Sequence, residues 1–98
     1  MHVVLLKLTG NKALAAEWME AHKAWLQQGF DDGVFLASGN LQGQPGGGIL
    51  AHGVDGETLQ RRLAQDPFVV HGVVTAEVMG IGLSRTDPRL NFLQEVAA

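Results

Sequence analysis

The chain has no cysteine and no tyrosine, three prolines in 98 residues, and charged residues at only 17%. Without cysteine there is no disulfide, no thiolate nucleophile and no zinc site built on sulfur, and the simplest compartment is the cytoplasm. Positive charge is scarce as well. Seven Lys and Arg stand against ten Asp and Glu, for a net charge of −3, and only Arg61 and Arg62 are adjacent. That distribution gives nucleic acid no electropositive footprint. A long hydrophobic run is also missing: "HVVLLKLTG" is broken by Lys7 and carries no basic leader, so it reads as a strand rather than a signal peptide or membrane span.

What is present suits one compact domain. Hydrophobic residues make up 46%, enough for a core and too much for a disordered chain. Residues 2–9 are short, aliphatic and β-branched, and end at Thr9-Gly10, which predicts a first strand. From Asn11, a plausible N-cap, to Gln28 the chain holds strong helix formers, with Gly29 expected at the left-handed C-terminal position and Phe30 packing back on Trp25. A helical period gathers Leu14, Ala15, Trp18, Ala21, Trp25 and Leu26 on one arc, with His22 inside it.

"VFLASG" and "GGILAHGV" predict two further strands, joined through the glycine-rich "NLQGQPGG". Asp55 is a good N-cap for a second helix, in which Glu57 can pair with Arg61 and which should stop near Gln65 because Pro67 follows. "VVTAEVMGIGLS" completes the pattern as a fourth strand, and residues 85–98 form a tail with a terminal turn or short helix. The order is β-α-β-β-α-β, an α+β ferredoxin-like fold with an antiparallel sheet over about residues 1–84.

A sheet covered by helices on one side should alternate apolar and polar residues. The first strand does not, since Val3 and Leu5 oppose Val4, Leu6 and Leu8. A second copy of the chain, sheet against sheet, is the economical cover. The tail folding across the sheet is the alternative.

Few side chains suggest chemistry. His22, in an apolar surround, is suited to proton transfer, and Asp66, at the end of the second helix, is a carboxylate that needs a partner. Set against each other, they read either as an acid–base dyad or as a pair that clips two helices together. Trp18, Trp25 and Phe68 are flat side chains for a pocket wall or for the core. "GQPGGG" lacks the Lys-Ser/Thr ending of a phosphate loop. His2, His22, His52 and His71 show no close ligand spacing, so no metal is expected. Glu77 is open between a pocket acid and an interface residue.

"HKAWL", "LASG" and "DPFVVHG", at these separations and on a chain of this size, resemble the YCII-related (YciI-like) family of small dimeric α+β-barrel proteins. The resemblance spans residues 1 to about 84, and its most specific part is the Asp-Pro-Phe element. It implies a pocket lined by a first-helix histidine and the aspartate of that element, which fall on His22 and Asp66. It also implies substrate contacts from Ser38 and Gly39 in the small-residue turn after the second strand. Where many members have proline after that glycine, this chain has Asn40.

One activity known among such relatives is dehydrochlorination of a chlorinated hydroxyhydroquinone; the wider group includes muconolactone isomerases and cofactor-free monooxygenases. The expectation is therefore a homodimeric, cofactor-free enzyme of the lyase or isomerase kind, acting on a small cyclic or phenolic compound. His22 and Asp66 are its catalytic pair, and Ser38, Gly39, Trp18 and Phe68 touch substrate. Its rival is a non-catalytic domain that holds a small metabolite in the same pocket.

Overall fold

The structure, a computed structural model, describes residues 1–96. Strand β1 (His2–Leu8) leads into helix α1 (Lys12–Asp31), strands β2 (Phe35–Asn40) and β3 (Gly47–Ala51), helices α2 (Gly56–Leu63) and α3 (Pro67–Val70), and strand β4 (Val74–Gly80). The strands form one sheet in the order β2-β3-β1-β4, antiparallel throughout. A 3-10 segment, Pro88–Val96, follows, kinked at Leu90. This is the expected α+β ferredoxin-like arrangement.

Register explains which residues each side of the sheet receives. Val4 pairs with Ile49 and Val78, and Leu6 with Gly47 and Ala76; Val4, Ile49 and Leu6 are buried beneath the helices with Leu59 and Leu63. Successive strand residues point to opposite faces, so Val3, Leu5, Leu50 and Met79 share the other one. Leu50 and Met79 remain exposed there. Lys7 and Glu77 meet on this face at 3.1 Å, which places Glu77 away from the helices. In the tail, Phe92 packs edge-on against His52, just past β3, and Leu93 is buried, while Met79 stays exposed.

Helix α1 runs further than its composition suggests. Gly29 lies within it, and the left-handed glycine is Gly33, at φ +74°, after the C-cap Asp32. A local rule that stops a helix at the first glycine fails here because Gly29 has a packing role. A β-carbon on it would collide with the ring of Phe35, which is itself buried and edge-on to Trp25 and Phe30. Gly29→Ala is therefore expected to destabilise the fold by about 1–3 kcal/mol through overpacking. This should hold although alanine is the better helix former by roughly 1 kcal/mol. A denaturant midpoint equal to the wild type would contradict it.

The two capping expectations part ways. Asn11 sits at the start of α1 but makes no capping bond; its amide points to Thr9 Oγ1 and the Gly72 carbonyl instead. Asp55 does cap α2, accepting from Thr58 N at 2.7 Å. The Thr58 backbone N–H and then its hydroxyl hold the Asp55 carboxyl below its usual value of 3.8. A lowered folded-state value favours the charged carboxylate, so this stabilisation is present above the unfolded value and lost as pH falls through the folded one. Asp55→Asn can still cap but does not titrate, and its acid unfolding curve should lack that component. An unchanged curve would show that the cap contributes nothing to acid sensitivity.

Arg62 donates to Asp32 at 2.8 Å, while its carbonyl accepts from Trp25 Nε1 at 3.1 Å. Together these bonds tie α2 to the second half of α1.

Candidate active site

Pro67 settles the geometry around Asp66. Proline is favoured at the first position of a helix because it has no N–H to leave unpaired there, and the residue before it is held extended. Asp66, at φ −61° and ψ 123°, thus ends the turn after α2 and opens α3 as its N-cap, accepting from Phe68 N at 3.0 Å. The acid that looked misplaced at a helix C-terminus belongs to the start of the next helix, where a carboxylate is favoured.

The same Oδ1 atom bonds His22 Nδ1 at 2.8 Å, across 44 residues of sequence. Asp66 is fully buried and the His22 side chain is 14% exposed. A carboxylate only accepts hydrogen bonds, so the His22 proton in this contact sits on Nδ1. In the neutral ring this leaves the Nε2 lone pair free. Asp66 Oδ2 is buried with no hydrogen-bond partner among the described residues.

Aromatic rings fix the imidazole plane. Phe68 lies parallel to it, with centroids 4.1 Å apart and 4° between planes, and Trp25 stacks at 5.8 Å. Phe68 is buried in the core, so the histidine rests on a rigid support.

A cavity of about 340 Å³ opens between these helices and the sheet. His22, Phe68 and Met19 line it from the helices, and Ser38, Gly39 and Asn40 from β2, with Gly46, Gly47 and Gly48 beside them. Of the residues singled out from sequence, His22, Ser38, Gly39 and Phe68 meet at this cavity. Trp18 does not line it; its ring stacks on His71 at 3.7 Å, and it packs against the core. Trp25, the other tryptophan expected as a flat wall, does not line it either; its ring lies beside the imidazole.

Asn40, Met19 and the glycine run were not singled out as cavity residues. For Asn40 a signal existed: two residues after Ser38 on one strand, it had to share that residue's face. The glycine run has a steric reason, since a β-carbon at Gly46, whose φ is +122°, would collide with the Leu6 carbonyl. Neither Arg61 nor Arg62 lines the cavity, and Glu77 faces the other side of the sheet. Among the described residues, no group of three or more His, Cys, Asp or Glu side chains gathers as a metal site would require.

No family model matches the chain, and no curated protein matches it in sequence. Among solved structures the chain is similar to the 5-chloro-2-hydroxyhydroquinone dehydrochlorinase of Burkholderia phenoliruptrix AC1100, solved in complex with 2,5-dihydroxybenzoquinone. The TM-score is 0.68 at 15% identity, over 84% of this chain and 94% of that one. The likeness shows the fold alone, an α+β arrangement with one antiparallel sheet. No helix among the described residues is long and apolar enough to cross a membrane.

Proposed function

We propose that this chain is a cytoplasmic, cofactor-independent enzyme of the lyase or isomerase type, YciI-like within the dimeric α+β barrels, and that it moves a proton on a small cyclic or phenolic compound. The observation that carries this reading is the 2.8 Å contact between His22 Nδ1 and Asp66 Oδ1 at the wall of a largely apolar cavity. Asp66 holds the ring with its Nε2 lone pair available and balances the positive charge when Nε2 takes a proton. A phenolic O–H is a suitable donor. Its electron pair moves into the ring, and the imidazolium returns the proton to a ring carbon; where that carbon bears chlorine, loss of a second phenolic proton then expels chloride with the C–Cl electron pair, leaving a quinone and net loss of HCl.

Asp66 does more than join two helices: its Oδ1 caps α3 by accepting from Phe68 N and at the same time holds the ring of His22, which lines the cavity. The neighbour's printed activity, on a chlorinated hydroxyhydroquinone, supports the same reaction class.

The test is to incubate the protein without oxygen in deuterated water, with 5-chloro-2-hydroxyhydroquinone or with unchlorinated hydroxyhydroquinone. Chloride release from the first or deuterium entering the ring of the second, above the protein-free rate, is the expected result. Binding of both compounds with neither reaction would instead identify a non-catalytic ligand-holding domain.

The working unit in this proposal is a homodimer. Val3, Leu5, Leu50 and Met79 present an apolar face to the side without helices, and a twofold copy covers it with one self-complementary patch. Sedimentation should give a two-chain mass, and Leu5→Lys combined with Met79→Lys should give one chain with the same far-ultraviolet spectrum. A wild-type monomer at micromolar concentration would refute the dimer.

A further inference from the structure

The cavity has a property that narrows its ligand: it offers no unpaired charge. Its lining is aliphatic, aromatic, glycine, or the neutral polar side chains Ser38 and Asn40, apart from His22, whose ring is already matched by the Asp66 carboxylate. Among the described residues no Lys or Arg lines the cavity. Lys7 pairs with Glu77 on the opposite face, and Arg62 with Asp32.

We infer that this cavity takes an uncharged flat ring with oxygen functions at two ends, one received by His22 and the other by Ser38 and Asn40, and that it discriminates against carboxylated analogues. The inference rests on the proton-transfer reading above and adds to it a substrate class and a specificity wall.

Ser38 pairs with Ile49, which is buried beneath the helices, and Asn40 pairs with Gly47, opposite Leu6. Both therefore present their side chains to the helix side, on the sheet wall of the cavity, while His22 and Phe68 come from the helix wall. A ring lying in the cavity is thus flanked by polar atoms from two different layers. A hydroxyl both donates and accepts, as does a carboxamide overall, so either a phenol or a quinone carbonyl is matched at the Ser38–Asn40 end.

Moving a carboxylate out of water into a mostly apolar cavity is costly unless a cation meets it, and among the described residues no Lys or Arg lines this one. The His22–Asp66 pair does not supply that cation, because its two charges cancel when the ring is protonated. A carboxylated lactone, the substrate type of muconolactone isomerases, is on this argument a poor ligand. A hydroxylated benzene ring is a good one.

The experiment compares two probes of similar size, hydroxyhydroquinone and 2,5-dihydroxybenzoate, titrated anaerobically into the wild-type protein by calorimetry. Hydroxyhydroquinone is expected to bind at least about ten-fold more tightly. Ser38→Ala and Asn40→Leu should each weaken it about three- to ten-fold, as loss of one hydrogen bond does. Asn40→Arg, at an exposed strand position, should narrow or reverse the preference by giving the carboxylate a partner.

Equal or tighter binding of the benzoate would overturn the inference, as would failure of the wild type to bind either probe or indifference to both wall substitutions. Turnover separates this from the reaction itself. Selective binding with His22→Ala fully active would sink the acid–base proposal alone. Unselective binding with His22→Ala inactive would sink the specificity wall alone.

Discussion

With His22 replaced by Ala, turnover of a reactive phenol is expected to fall by about 10²- to 10⁴-fold, the usual contribution of a positioned acid–base group. Ligand affinity should change far less. Phe68 and the apolar cavity wall remain, and Phe68 is held in the core independently of His22. The free energy of unfolding is expected to drop only modestly, because the lost contacts are one hydrogen bond and one ring stack. That combination, turnover lost with binding kept, separates a catalyst from a binding domain. A variant that retains wild-type turnover would remove His22 from the chemistry.

Asp66 is expected to give a second large effect, and its two informative substitutions should behave differently. Asp66→Ala removes both bonds that Oδ1 accepts, so it uncaps α3, strands the buried Phe68 N–H and releases the imidazole. A loss of about 1–3 kcal/mol of stability should accompany the loss of turnover. Asp66→Asn keeps an oxygen that can accept from His22 and from Phe68 N, so it should fold nearly as well as the wild type. Its turnover should still fall by about 10²- to 10⁴-fold, because a neutral carboxamide cannot balance the imidazolium. If the pair served only to join α1 to α3, Asp66→Asn would react as fast as the wild type.

The fold was legible where local chemistry and packing agree. Val4 and Leu6 alternate with Val3 and Leu5, and register places these pairs on opposite sides of the sheet as the pattern implies. The apolar arc of α1 is also the arc that packs against the core, from Leu14 to Leu26. Asp55 caps because Thr58 lies three residues on, a relation contained within one turn.

Legibility failed where a distant residue decided the outcome. Gly29 was expected to end α1, but its partner is Phe35, in the following strand, and a single-helix argument cannot see that contact. Trp18 and Trp25 both flank His22 on the helical wheel, yet neither lines the cavity: Trp18 stacks on His71, after α3, and Trp25 packs beside the imidazole. Asp66 was recognised as anomalous for a sound electrostatic reason. Its resolution needed both the four-residue helix that Pro67 starts and the long-range contact with His22.

The account turns on which nitrogen of His22 carries the proton, and nitrogen-15 NMR of the imidazole ring in the folded, ligand-free protein measures that directly. For the uncharged ring, the prediction is a protonated Nδ1 and a bare, basic Nε2, with the preference lost in Asp66→Ala, where nothing accepts from Nδ1. A proton resting on Nε2 in the wild type would contradict the account, because the nitrogen meant to receive the substrate's proton would already be occupied.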